Sequence, residues 1–250
     1  MPGLIPVAAW QFLQEADLIL LPRAKSAKRS MARNCLPPHD IPEDRFREIE
    51  FAMETDRTLL AEHYLQLADE IADAVRVGKK VAYLTIGDPL TYSTYVYILR
   101  ALEERYPEII GRTYPGITSY SALAAATSFA LGEGKERVLI SPCPDAKLEL
   151  RRLIEAHDIL VLIKIGERLP MVLRLLAEME IGDHCVFGAY VGTQNEIIHL
   201  GIADIKVSEA TGYLATMLIR RKPGESRQTV AAMASNQEPA VDRLAGKGST

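Results

Sequence analysis

The stretch VAYLTIGDPLTYSTYVYILRALEE, Val81 to Glu104, decides the fold. Val81 to Ile86 is a short, nearly continuous apolar run after the polar Gly78-Lys79-Lys80. Its length, and the glycine that ends it, predict a strand buried on both faces, as in a parallel sheet. Gly87 lets the backbone turn sharply or come close to another molecule, and Pro89 removes a backbone donor. Tyr92, Tyr95, Val96, Leu99 and Leu102 then recur at helical spacing up to Glu104. The unit is strand, loop, helix, and in open α/β sheets the loops at the carboxyl ends of strands are where ligands sit. A lone Gly-Asp-Pro is also an ordinary βα turn, so its meaning depends on the rest of the chain.

Outward from this unit, the same alternation continues. Val7 to Glu15 reads as an amphipathic helix, Asp17 to Leu21 as a strand, and Phe46 to Met53 as an edge strand in which charges alternate with Ile49 and Phe51. Asp56 to Val77 carries Leu59, Leu60, Tyr64, Leu67, Ala68, Ile71 and Val75 on one helical stripe. Glu108 to Tyr114 is expected to be a strand, ended by Pro115-Gly116, and Thr118 to Phe129 a small-residue helix. Further strands are expected at Arg137 to Ser141, Ile159 to Ile165, Cys185 to Val191, Ile197 to Leu200 and Gly212 to Arg220, with helices at Lys147 to Ala156 and Leu169 to Glu180. The fold class is α/β, in two domains over residues 1–114 and 115–222, followed by a polar, weakly patterned tail over 223–250.

Composition narrows the function. A chain of 250 residues with 48% hydrophobic content can bury a sizeable core, and a net charge of −4 does not suggest nucleic acid as a partner. No apolar run approaches a membrane span and no signal peptide is visible, so a cytoplasmic protein is expected. Cys35, Cys143 and Cys185 are odd in number and far apart, which indicates neither a disulfide framework nor a zinc site. His39, His63, His157, His184 and His199 lack ligand spacing, so no protein-bound metal is expected. There is no dinucleotide fingerprint, no P-loop and no nucleophile elbow. These absences favour a ligand held by backbone groups and apolar surface.

Four segments taken together carry a resemblance. GDPLTYST (Gly87 to Thr94), YPGITSYSALAA (Tyr114 to Ala125), VLIKIGERLPMVLRLL (Val161 to Leu176) and YVGTQNEII (Tyr190 to Ile198) occur in the order and at the separations found in the tetrapyrrole methylases. The chain resembles that family from about Pro2 to Arg221, most closely the branch that methylates carbon 20 of precorrin-2 or cobalt-factor II on the way to cobalamin. The resemblance implies two α/β domains with a cleft for S-adenosylmethionine, and a homodimer. Position by position, it implies cofactor contacts from Ile86, Gly87, Asp88, Thr91, Thr118, Ser119, Ile165, Gly192, Leu214 and Ala215. Glycine permits close backbone approach, hydroxyls satisfy polar edges of adenine, ribose or the amino-acid tail, and small residues leave room for the sulfonium. Thr118 and Ser119 also stand where a helix would start, so an N-cap role is equally open to them.

The segment PRAKSAKRSMAR places Arg23, Lys25, Lys28, Arg29 and Arg33 just after the strand ending at Leu21. A charge run is usually a solvated face. For a substrate bearing many carboxylates, Arg23, Lys25, Lys28, Arg29 and Lys164 become candidates to pair with acetate and propionate groups. A lysine at a strand end such as Lys164 also snorkels to solvent. Asp88, Tyr92, Tyr114 and Glu196 are the titratable groups nearest the motifs, and none is singled out as a general base. The start MPGLIPVAAWQFLQEAD keeps a Pro-Gly but lacks the preceding strand and Gly-Pro-Gly-Asp-Pro loop of the family, which implies residues omitted from the sequence or a truncated enzyme. Two alternatives stay open: methylation at another tetrapyrrole position, and a binding homologue without turnover.

Overall fold

The computed structural model describes residues 3–24, 28–51, 57–206 and 214–222. The expectations that fall on Pro2, Lys25, Met53, Asp56, Gly212 and the 223–250 tail lie outside the described residues. By contact, the chain divides into two compact units: Met1–Ala122 with Gly192–Asn195, and Leu123–Val191 with the described part of Glu196–Thr250.

In the first unit α1 (Val7–Glu15) leads into β1 (Leu18–Ala24), a short α2 (Met31–Asn34), β2 (Phe46–Phe51), α3 (Arg57–Arg76), β3 (Val81–Tyr83) and α4 (Tyr95–Arg105). The sheet order is β2-β1-β3, with β1 parallel to both neighbours. β1 is buried on both faces because its apolar residues alternate between two cores. Ile19 and Leu21 pack with Leu13, Ala32, Leu36 and Ile41, whereas Leu20 packs with Tyr64, Leu67 and Ile71 of α3 and Ile98 of α4. β2 is an edge strand, as its alternating charges suggest.

Two expectations fail in this unit. β3 ends at Tyr83, not Ile86, and only its middle residue Ala82 is buried. It lies at the sheet edge, and beyond the bond from Leu84 N–H to Leu20 C=O (2.9 Å) hydroxyl pairs turn the chain back toward α4. Residues 108–114 form no strand. Side chains anchor that segment instead of a ladder: Arg76 to Glu108 (2.7 Å), Tyr95 Oη to Thr113 Oγ1 (2.9 Å), and Tyr114 against the Phe12 ring.

After α5 (Ser119–Thr127), within which the two units meet in sequence, come β4 (Val138–Pro142), α6 (Lys147–Ala156), β5 (Ile159–Ile163), α7 (Leu169–Glu178), β6 (Cys185–Ala189), β7 (Ile197–Leu200) and β8 (Ala215–Arg220). The sheet is mixed, in the order β4-β5-β8-β6-β7, with only β4 and β5 parallel. Leu160, Leu162, Cys185, Phe187, Met217 and Ile219 meet Leu150, Ile154, Val172, Leu175 and Leu176 of the two helices in one core. Alternation turns Val161, Val186, Gly188, Leu218 and Arg220 to the other face. There Arg220 donates to Glu136 and to Ala130 C=O (2.8 Å) and lies over the Phe129 ring. A Cβ on Gly188 would lie 2.7 Å from the side chains of both Leu123 and Val191, which would have to shift to admit a larger residue.

Candidate cofactor and substrate site

The loop after β3 is built by hydroxyls and one carboxylate. Tyr83 Oη pairs with Thr94 Oγ1 and Thr85 Oγ1 with Ser93 Oγ, each at 3.2 Å, while Ser93 Oγ also accepts from Tyr95 N–H at the start of α4. Burial pushes the Tyr83 phenol well above its ordinary range, so it stays a neutral hydrogen-bonding group. Gly87 turns the chain with φ +72°, a conformation that favours glycine. Asp88 Oδ1 accepts from Leu90 N–H (2.9 Å) and from the Thr91 hydroxyl (3.2 Å), closing the loop on itself. Its Oδ2 accepts from Gly116 N–H at 3.1 Å.

That last bond belongs to a close approach of two loops. A Cβ on Gly116 would stand 2.0 Å from Gly87 O and 2.7 Å from Gly87 C, so the Pro-Gly turn seats directly on the Gly87 peptide. A Cβ on Gly87 would meet Ile117 O and Thr118 Cα at 3.7 and 3.8 Å. Thr118 caps α5: its Oγ1 accepts from Ser121 N–H (3.3 Å) and pairs with Ser121 Oγ (2.8 Å). Ile86, Gly87, Asp88, Thr91 and Thr118 are thus brought together, with Ser119 on the exposed first turn of α5. Sequence reasoning missed Gly116. Its Pro-Gly was legible only as punctuation.

In the second unit Lys164 and Ile165 follow the carboxyl end of β5, Tyr190 follows β6, and Leu214 precedes β8. These ends adjoin: Ile163 is paired with Thr216, Ala189 with Ala215, and Tyr190 N–H donates to Leu214 C=O (3.3 Å). The Ile165 and Ala215 side chains are buried in the core, which leaves backbone as what they can present. Gly192 (φ +82°) is grouped by contact with the first unit. Among the described residues, five non-glycines hold positive φ, and Tyr92, Lys164 and Tyr190 of these fall within the motifs. Such conformations cost on the order of 1–3 kcal/mol each and persist where the surroundings enforce them.

The basic segment differs from expectation at Arg23. Its Nε lies 3.1 Å from Glu48 and its Nη2 2.7 Å from Glu50, both on the neighbouring β2, so two carboxylates already hold the guanidinium. Arg33 is likewise taken up by Glu43 and the Phe46 ring. Lys28 and Arg29 are exposed, and Lys25 lies outside the described residues. Among the acid–base candidates, Tyr114 packs on Phe12 with Arg112 over its ring, whereas Tyr92 and Glu196 are exposed. No group of three or more His, Cys, Asp or Glu among the described residues could hold a metal ion.

Two α/β units, with the Gly87, Lys164 and Tyr190 loops following strand ends, agree with the family shown by comparison. The family model of the tetrapyrrole (corrin/porphyrin) methylases matches residues 1–206, and the chain belongs to that family. It is 23% identical to the cobalt-precorrin-2 C(20)-methyltransferase of Salmonella typhimurium over 88% of this chain and 92% of that protein. It is 27% identical to the precorrin-2 C(20)-methyltransferase of Sinorhizobium sp., over 87% of this chain and 90% of the relative. Among solved structures, a cobalt precorrin-4 methyltransferase superposes with a TM-score of 0.62 at 19% identity, covering 89% of this chain and 92% of its own. A uroporphyrin-III C-methyltransferase from Thermus thermophilus, complexed with S-adenosylhomocysteine, gives a TM-score of 0.54 at 15% identity, covering 88% and 92%. These structures share the fold.

Proposed function

We propose that the protein is an S-adenosylmethionine-dependent C-methyltransferase acting at carbon 20 of precorrin-2 or cobalt-factor II in cobalamin biosynthesis. Family membership and the named activities of relatives that match most of both chains support the reaction class. The observation that carries the reading is the seating of Gly116 on Gly87, which brings two motif loops into contact through backbone.

The residues present fit the cofactor. Gly87 turns the chain at positive φ, Ile86 beside it is an apolar side chain 41% exposed, and the α5 amino terminus stands next to both. On this reading the proposed cofactor contacts are Ile86, Gly87, Thr91, Thr118 and Ser119, Gly192, and the backbone of Ile165, Leu214 and Ala215. When bound, S-adenosylmethionine supplies an electrophilic methyl group on a sulfonium. It would transfer that methyl to the meso carbon, with S-adenosylhomocysteine and the displaced meso proton as the other products. The protein's part is to align the two carbons, and alignment alone lowers such barriers by roughly 7–11 kcal/mol in favourable cases. Lys25, Lys28, Arg29 and Lys164 are the proposed partners of substrate carboxylates, with Arg23 withdrawn by its two glutamates. Asp88, expected from the resemblance as a cofactor contact, has both oxygens engaged by loop donors and is left out of that set, and no general base is assigned.

The reading includes a cytoplasmic homodimer, for which light scattering at micromolar concentration is the check. Titration calorimetry with S-adenosylmethionine and S-adenosylhomocysteine tests the cofactor. Mass spectrometry of precorrin-2, with and without cobalt, tests the reaction, and carbon NMR of the product locates the methyl group. Cofactor binding without a mass gain on either form would leave a binding homologue, and a methyl group elsewhere on the ring would correct the position.

A further inference from the structure

We infer that Asp88 is a positioning residue whose carboxylate ties the Pro115-Gly116 turn to the Gly87 loop and thereby sets cofactor affinity without touching the cofactor. The inference rests on the proposed function for its cofactor half. Its structural half stands on bonds within one unit.

The two oxygens of Asp88 have different tasks. Oδ1 accepts from Leu90 N–H and the Thr91 hydroxyl, contacts two and three residues away that shape the loop itself. Oδ2 accepts from Gly116 N–H, 28 residues away. The steric contact between Gly116 and the Gly87 peptide sets how near the turn can come, and it gives no pull. The Asp88 carboxylate supplies that pull, as a charge-assisted bond aimed along the backbone that must stay seated. Directly after the turn come Ile117 and Thr118, the cap of α5, whose Cα lies 3.8 Å from where a Gly87 Cβ would stand. One carboxylate therefore sets the spacing between the Gly87 peptide and the α5 amino terminus, the two places at which the first unit would hold the cofactor. The sequence resemblance counts Asp88 among the cofactor contacts, whereas here both oxygens face protein donors.

Asp88→Asn separates these tasks. Asparagine has one acceptor oxygen, and the short closure onto Leu90 costs less chain entropy than the 28-residue one, so the oxygen stays with Leu90. An N–H2 group then faces the Gly116 amide. In the wild-type and D88N proteins, amide exchange by NMR at residues 114–118 and S-adenosylhomocysteine affinity by calorimetry are measured together with Tm. Expected are faster exchange at Gly116, about tenfold weaker affinity, and a Tm lower by a few degrees, in line with the loss of one charge-assisted bond.

Wild-type exchange or affinity in folded D88N overturns the inference. Weaker binding with unchanged Gly116 exchange also overturns it and makes Asp88 a direct contact. If D88N does not fold, the wild-type protein decides: an unprotected Gly116 amide refutes the tie, and a protected one supports it. If the wild-type protein binds no S-adenosylhomocysteine, the proposed function and the affinity half fall together, while the exchange comparison still decides the tie.

Discussion

Replacing Gly116 by alanine probes the joint on which the functional reading rests. The glycine is needed here for space, since the new methyl would sit 2.0 Å from Gly87 O, 2.7 Å from Gly87 C and 3.2 Å from Asp88 Cα. All three neighbours are backbone, so no side chain can swing away. Restoring an ordinary contact of about 3.4 Å from 2.0 Å requires the loops to separate by about 1.4 Å. That shift would break the 3.1 Å bond from Gly116 N–H to Asp88. Overpacking of this kind costs about 1–3 kcal/mol, and at about 2–4 °C per kcal/mol for a chain of this size Tm should fall by roughly 2–12 °C. A misplacement near 1 Å costs on the order of 100-fold in rate where geometry matters, so methyl transfer should fall by about that factor and S-adenosylhomocysteine affinity should fall with it. Gly87→Ala is the control. Its Cβ meets only ordinary contacts at 3.7 and 3.8 Å, and the cost comes from φ +72°, about 1–2 kcal/mol. Calorimetric titration and thermal melting of both variants decide the matter. A folded Gly116→Ala protein with wild-type affinity and wild-type Tm would refute the close approach and the site built on it.

Other outcomes rest on the same contacts. Arg23→Glu would set three carboxylates together where Arg23 now bridges Glu48 and Glu50, with Arg23 and Glu48 side chains 23% and 24% exposed; a loss of about 1–3 kcal/mol is expected in chemical denaturation. An unchanged Tm with lost tetrapyrrole binding would return Arg23 to the substrate. Arg220→Met removes the partner of Glu136, the bond to Ala130 C=O and the packing on Phe129, and should cost about 2–4 kcal/mol; urea unfolding at the wild-type midpoint would contradict that. Burial pushes the Cys143 thiol up to about 11 and the Cys185 thiol further, so little thiolate exists near pH 8. Iodoacetamide should therefore modify both only after unfolding, as read by mass spectrometry, and rapid native labelling of Cys185 would be at odds with its placement.

Much of the architecture was legible because it is written in local periodicity. The stripe on α3 and the apolar runs of β5 and β8 each state an element and the face it buries. The order of the four motifs carries the family resemblance by itself. The expected strand over Glu108 to Tyr114 failed because its pattern suits an extended segment, while ladder or side-chain anchoring depends on Arg76 and Tyr95, far away in sequence. The site divides in the same way. Gly87 and Asp88 were visible as a turn with chemistry in it, and Thr118 as a helix start, because turn and cap preferences act over a few residues. The partners of Asp88 and Arg23 were not visible. Asp88 meets Gly116 across 28 residues and Arg23 meets Glu50 across 27, through contacts set by how strands and loops pack. Local patterns along the chain carry most of the elements, the family and the loops that hold the chemistry. Only the tertiary structure decided that Arg23 is neutralised by its neighbour strand, that Gly116 is needed for space, and that Asp88 faces protein amides, because hydrogen bonds and close contacts depend on distance in space, which periodicity along the chain does not encode.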